Sequence, residues 1–182
     1  MLDAAIATFA SRGFTAASLS ELTVATGLSA GSLYKAFGDK DGVFERALGR
    51  YLALHGEEIA DALARESDGR GRIAAVLRLY ASWSQDAAGR TGCLVVAAVA
   101  ELDLLAAPTA AALKDVLGQR RSLLAALVQE GRADCSITTS APADTVADLL
   151  LSLVQGMRVV AKGGLFPDRA EPLVALALRI LD

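Results

Sequence analysis

Alanine fills about a fifth of this chain and aromatic residues only 5%. Its apolar residues recur at three- and four-residue spacing nearly throughout. That pattern points to helices, because alanine is the best helix former. The one β-branched run, Ser136-Ile137-Thr138-Thr139, is too short for a strand. The four prolines, Pro108, Pro142, Pro167 and Pro172, each sit at or near the start of an apolar run. A missing N–H costs no helical hydrogen bond there. With 182 residues, 53% of them hydrophobic, the chain has enough apolar surface to build a core, and disorder over most of its length is excluded. The expected fold class is all-α.

Local punctuation divides the pattern into about nine helices. Leu2, Ala5, Ile6 and Phe9 share one helical face, and Gly13 ends that helix. Ser18-Leu19-Ser20-Glu21 is a capping box opening a short helix to Thr26. Gly27-Leu28-Ser29 is a tight turn, and Ser29 caps a third helix, Ala30 to Phe37. Gly38-Asp39 breaks it, and a long fourth helix runs from Lys40 or Asp41 to about Ala64. Further helices are expected near 69–87, 93–106, 109–132, 142–162 and 169–181, with Ala87 to Gly92 a loop. The architecture changes near residue 45. Two domains are therefore expected, 1–45 and 46–182, with the fourth helix shared between them.

The composition excludes several functions. Two cysteines, Cys93 and Cys135, and one histidine, His55, offer neither a disulfide framework nor a zinc site. No stretch approaches the ~20 apolar residues of a membrane span, and the compartment reads as cytoplasmic. No acid–base pair, metal cluster or phosphate loop marks an enzyme or a cofactor. Gly27 to Gly31 also spells G-x-S-x-G. A capped helix precedes it where a nucleophile elbow needs a strand, and the single histidine lies on the long helix.

Two short helices joined by a three-residue turn make a helix-turn-helix, which offers Ala30 to Phe37 to a DNA major groove. Leu19, Leu22, Leu28, Leu33 and Phe37 would pack beneath it with Ile6 and Phe9, and Lys40 would reach a phosphate at the start of the fourth helix. The residues from Leu2 to Lys40, with Gly13, Gly27, Tyr34, Phe37 and Lys40 at their spacing, resemble the DNA-binding domain of TetR (tetracycline-repressor-like) regulators. The resemblance implies a homodimeric, all-helical repressor on a double-stranded DNA operator, released by a small, mostly apolar effector. By that resemblance Ser18, Thr26, Ser29, Gly31, Tyr34 and Lys40 make mainly backbone contacts, and Ala30, Ser32 and Lys35 face bases. The alternative is a helical ligand carrier or enzyme that kept this fold and lost DNA binding. Residues 1–50 carry five Lys/Arg and five Asp/Glu, so the head is neutral, and weak or strongly salt-sensitive DNA binding is expected.

The candidate effector residues lie beyond the head. The stripe Phe44, Leu48, Tyr51, His55, Ile59 is expected to face the C-terminal bundle, bringing Tyr51 and His55 to a pocket. Tyr80, Trp83, Arg120 and Met157 join them, Arg120 pairing with Glu101 or Asp103 or meeting an acidic ligand. Cys93 stands at a helix start, where the dipole lowers a thiol's pKa. Leu149, Leu150, Leu153, Val154 and Met157 on helix 142–162, with Leu173, Leu176 and Ile180 on the last helix, exceed what one packed face needs. They are the expected four-helix dimer interface.

Overall fold

The computed structural model describes residues 1–167 and 169–182. Among these residues the chain is helical, as the periodicity predicts, and no strand forms. Its helices are α1 (Leu2–Arg12), α2 (Leu19–Thr26), α3 (Ala30–Phe37), α4 (Lys40–Ala64), α5 (Gly69–Trp83), α6 (Asp86–Thr91), α7 (Leu94–Ala100), α8 (Ala107–Ala133), α9 (Ala143–Lys162) and α10 (Glu171–Leu178). Short 3-10 turns follow α7 and α10, at Leu102–Leu104 and Arg179–Leu181.

The chain forms two compact units. Met1–Gly56 joins Thr91–Lys114 in one, and Glu57–Arg90 joins Asp115–Asp182 in the other. This differs from a single division at residue 45. α7 buries Leu94, Val95 and Ala98 and packs on α1, which draws a distant segment into the head's unit. α4 contributes to both units, as expected.

In the first unit three phenylalanines set the core. The Phe9 and Phe44 rings meet edge-on at 5.0 Å, and Phe14 meets Phe44 at 5.2 Å. Leu22 from α2 and Leu33 from α3 are buried, as are Val43, Ala47 and Leu48 from α4. Leu19, Leu28, Phe37 and Ile6 are half-buried around them. Each fully buried side chain of this size stabilises by about 1.5–3 kcal/mol.

In the second unit α5, α8, α9 and α10 enclose Ile73, Leu77, Leu124, Val128, Leu150, Val154, Val174 and Leu181. The end of the chain is pinned: the N–H groups of Thr138 and Thr139 both donate to the Leu181 carbonyl at 3.0 Å. The expected single helix 69–87 is interrupted at Ser84. Its hydroxyl donates back to the Tyr80 carbonyl at 2.7 Å, and Asp86 turns to a φ of 54°. The expected loop 87–92 is largely α6 instead.

One crossing in this unit has no room for a side chain. α5 begins where α8 ends, and a Cβ on Gly69 would lie 2.3 Å from the Gly131 amide nitrogen and 2.6 Å from the Leu127 carbonyl oxygen. Backbone atoms cannot rotate away. Gly118, exposed within α8, would meet nothing within 4 Å. Gly69→Ala should therefore lower the thermal midpoint, with a cost of at least the ~1–3 kcal/mol of overpacking. Gly118→Ala should raise it by removing a helix-interior glycine worth roughly 1 kcal/mol. Thermal unfolding of the two variants beside the parent tests the pair, and equal midpoints would contradict the crossing.

Candidate nucleic-acid interface

The first unit's surface is built around α3. Its N-cap is Ser29, whose Oγ accepts the Ser32 N–H at 3.1 Å. α2 carries the complete capping box: Ser18 Oγ accepts from the Glu21 N–H at 3.1 Å, and Glu21 accepts from the Ser18 N–H at 2.9 Å. The Ser18 hydrogen bonds hold the Glu21 carboxyl below its ordinary pKa. Between the two helices Gly27 adopts a left-handed φ of 71°, which glycine takes without steric cost. Thus two sequence-local caps and one glycine fix the angle of the turn.

Only Leu33 of α3 is buried. Ala30, Gly31, Ser32, Tyr34, Lys35 and Ala36 are all exposed, and Phe37 is half-buried. An eight-residue helix anchored by one leucine and its C-terminal aromatic leaves nearly all of its surface to a partner. Of the nine residues expected at DNA, several spend their donors inside the head. The Thr26 hydroxyl donates to the Leu22 carbonyl at 2.6 Å, and Ser18 Oγ donates to Glu21. Ser29 and Ser32 share one hydrogen bond at 3.0 Å, leaving one free hydroxyl proton between them. Among the described residues, the side chains of Tyr34 and Lys35 make no hydrogen bond or ion pair.

Lys40 is placed differently from the expectation. Its ammonium donates to the carbonyls of Phe14, Thr15 and Ala17 at 2.8, 3.3 and 3.2 Å. It also stands 4.5 Å from the centre of the Phe14 ring. An ammonium has three protons, and three carbonyls take them, so this geometry disfavours the expected phosphate contact. From the other side Glu101 accepts the Thr15 N–H at 2.9 Å. Sequence reasoning missed this clasp on the α1–α2 loop, because its carboxylate lies 86 residues away.

Two further cations of the head are also paired. Arg50 makes a two-point contact with Asp3 at 2.7 and 3.0 Å, and this ion pair lowers the Asp3 pKa and raises that of Arg50. Arg12 meets Glu21 at 3.3 Å. Among the described residues of the head this leaves Lys35 and Arg46 as side-chain cations without an ion pair or hydrogen bond.

The comparisons with known proteins agree with this geometry. The family model for bacterial regulatory proteins of the tetR family matches residues 1–47. The tetracyclin repressor-like C-terminal domain model matches residues 69–170. The chain belongs to the TetR family. The HTH-type transcriptional repressor ComR of Escherichia coli K12 is 26% identical over 98% of this chain and 86% of its own length. The repressor BdcR of the same organism is 34% identical, but the match spans 52% of this chain and 48% of that protein. A cysteine mutant of the TetR family regulator CifR, solved with 26-bp double-strand operator DNA, is 32% identical. That match covers 99% of this chain and 93% of the other, with a TM-score of 0.75. The protein is thus a DNA-binding transcriptional regulator with a TetR fold. No described helix is long and apolar enough to cross a membrane.

The residues expected in a TetR effector pocket separate into two groups. Tyr51, His55 and Cys93 lie in the first unit. The Tyr51 hydroxyl donates to Cys93 Sγ at 3.2 Å, its ring stacks on His55 at 3.9 Å, and Cys93 is buried. The stripe from Phe44 to Ile59 does not serve one bundle: Phe44 enters the head core and Ile59 the core of the second unit. Tyr80 and Arg120 do converge. They line one cleft with Ile59, Val76, Leu123, Leu124, Leu151 and Val154. Trp83 packs edgewise on Tyr80 at 4.9 Å and donates to Glu58 at 2.6 Å, and Met157 is buried in the same core. Arg120 lies over the Tyr80 ring and makes no ion pair among the described residues. Its expected pairing with Glu101 or Asp103 is absent, and Glu101 serves the α1–α2 loop.

The expected dimer surface also resolves into two faces. Leu150, Val154 and Met157 are buried within their own unit, because they fall on the inward stripe of α9 with Val146 and Ala161. Their burial leaves them off the exposed surface of the subunit. Leu149 remains 54% exposed and Leu176 66% exposed, with Leu153, Leu173 and Ile180 half-buried.

These placements separate two lysines. Lys40→Ala removes three internal hydrogen bonds, so it should lower the thermal midpoint as well as operator affinity, without changing the salt dependence of binding. Lys35→Ala should leave stability within about 0.5 kcal/mol, as for other exposed positions, while weakening operator binding. Thermal unfolding and fluorescence anisotropy at several salt concentrations distinguish them. A Lys40→Ala protein of unchanged stability whose salt slope falls by about one would restore the phosphate role.

Proposed function

We propose that this chain is a homodimeric transcriptional repressor that holds a near-palindromic operator with a pair of α3 helices and is released by a small, mostly apolar ligand bound in its second unit. The observation that carries the reading is the exposure of every residue of α3 from Ala30 to Ala36 except Leu33, on a head where Arg12, Lys40 and Arg50 are committed internally. Such a helix fits a major groove. Ala30, Gly31 and Ser32 are small enough for close approach to bases. Lys35 suits a guanine edge, and Tyr34 a phosphate. The repressor relatives ComR and BdcR and the operator-bound CifR mutant support the same reading.

The two-fold arrangement rests on α9 and α10. Leu149, Leu153, Gly156 and Val160 follow one another at helical spacing on the face of α9 beside its buried stripe. On α10 and the turn after it, Leu173, Leu176 and Ile180 do the same. Apolar surface on two adjacent terminal elements is more than a monomer of this size usually leaves in water. A second copy meeting it across a two-fold axis makes an isologous four-helix contact. The axis then sets two α3 helices about one helical turn of DNA apart, or a multiple of it.

Two measurements test the proposal together. Leu149→Glu and Leu176→Glu alter side chains exposed within the subunit, so each variant should fold, sediment as a monomer and lose operator affinity. The parent should sediment as a dimer at micromolar concentration. Operator binding should also respond weakly to salt. With two uncommitted cations per head, the logarithmic slope for the dimer should not exceed about 4 in magnitude. A monomeric parent, or charged variants that remain dimeric, would overturn the interface. A much steeper slope would mean that the internal ion pairs open on DNA.

A further inference from the structure

Several arginines of the second unit are matched to carboxylates. Arg70 pairs with Asp182 at 2.7 Å, Arg78 with Glu171 at 2.8 Å, and Arg121 with Asp148 at 2.5 Å. Arg72 pairs with Glu130. Arg120 is half-buried, and its side chain has no ion pair or hydrogen bond among the described residues. Its guanidinium carbon lies 5.8 Å from the centre of the Tyr80 ring, on the face of a buried tyrosine. Among the described residues it is the only charged one lining the cleft, whose other walls are aliphatic apart from Tyr80.

A cation partly withdrawn from water, with no counter-charge, carries a desolvation cost that a ring face offsets in part. Its neighbour Arg121 shows that carboxylates are within reach of α8, yet none lines this cleft. We propose that Arg120 and Tyr80 head a binding site for a small organic anion: a carboxylate whose charged end takes the Arg120 fork and whose hydrocarbon body lies among Ile59, Leu124 and Val154. A guanidinium presents parallel N–H donors that match both oxygens of a carboxylate. The same charge repels a cationic ligand, and a neutral one gains only apolar area. The free space is about 10 Å³, room for about one water. Occupancy must therefore push apart side chains of α5, α8 and α9, which gives a bound anion a means of changing the unit's shape. The inference rests on the reading that this unit receives the effector, and it names the effector's chemical class.

The test uses the parent dimer with octanoate, and with 1-octanol as a neutral control of the same chain length. Calorimetric titration and thermal shift without DNA come first, and release from operator DNA second. Octanoate should bind at least about tenfold more tightly than 1-octanol, the weight of one charge-assisted contact. Arg120→Gln should abolish that preference while leaving 1-octanol binding unchanged, and Arg120→Lys should keep part of it. Equal binding of acid and alcohol, a preference that survives in Arg120→Gln, or binding of neither probe would each overturn the proposal. Octanoate that binds through Arg120 but leaves the operator complex intact would uphold the anion site and count against ligand release.

Discussion

The ammonium of Lys40 ties the first turn of α4 to the loop between α1 and α2, and the order of the head depends on that tie. Its three protons meet three carbonyls that no helix satisfies, and its stem lies against the ring of Phe14. Phe14 in turn closes the cluster with Phe9 and Phe44. α2 begins at the far end of the same loop, so the position of the capping box, the turn at Gly27 and finally α3 follow from it. Glu101 holds the loop from the opposite side through the Thr15 N–H. The last turn of α7 thereby touches the segment that sets the entry of α2.

This internal use of charge shapes how the head meets DNA. A neutral head with all its cations free would bind through phosphate neutralisation and respond steeply to salt. Here Asp3, Glu21 and the loop carbonyls occupy Arg50, Arg12 and Lys40. In the proposed complex affinity then comes from Lys35 and Arg46, from fit and from neutral donors: the amides at the helix starts, the Tyr34 hydroxyl and the proton left over from the Ser29–Ser32 pair. Such contacts are short-ranged and directional. They favour a correct groove over a random one more than a diffuse positive surface would.

Much of the head was legible in the sequence because its signals are local. Ser18 with Glu21, Ser29 with Ser32, and the glycines at 13 and 27 each act within four residues, and all stand where the pattern puts them. The inward turn of Lys40 was not legible, since a lysine opening a helix suits a phosphate and a carbonyl cage equally well. The break at Ser84 was hidden because a serine hydroxyl folding back on Tyr80 leaves the apolar period intact. On α9 the sequence showed a broad apolar band without saying which side faces inward. Leu150, Val154 and Met157 took the core, Leu149 was left outside and Leu153 lies at the edge. Arg120 was marked as an interruption in an apolar stripe, but tertiary structure was needed to put it over Tyr80.

In the proposed dimer two α3 helices read one duplex with two-fold symmetry. Hydroxyl-radical footprinting of the parent protein on the DNA upstream of its own coding region measures this directly. Two protected patches related by a dyad, with centres about one helical turn apart or a multiple of it, are the predicted result. A single unsymmetrical patch, or protection that spreads evenly along the fragment, would contradict it.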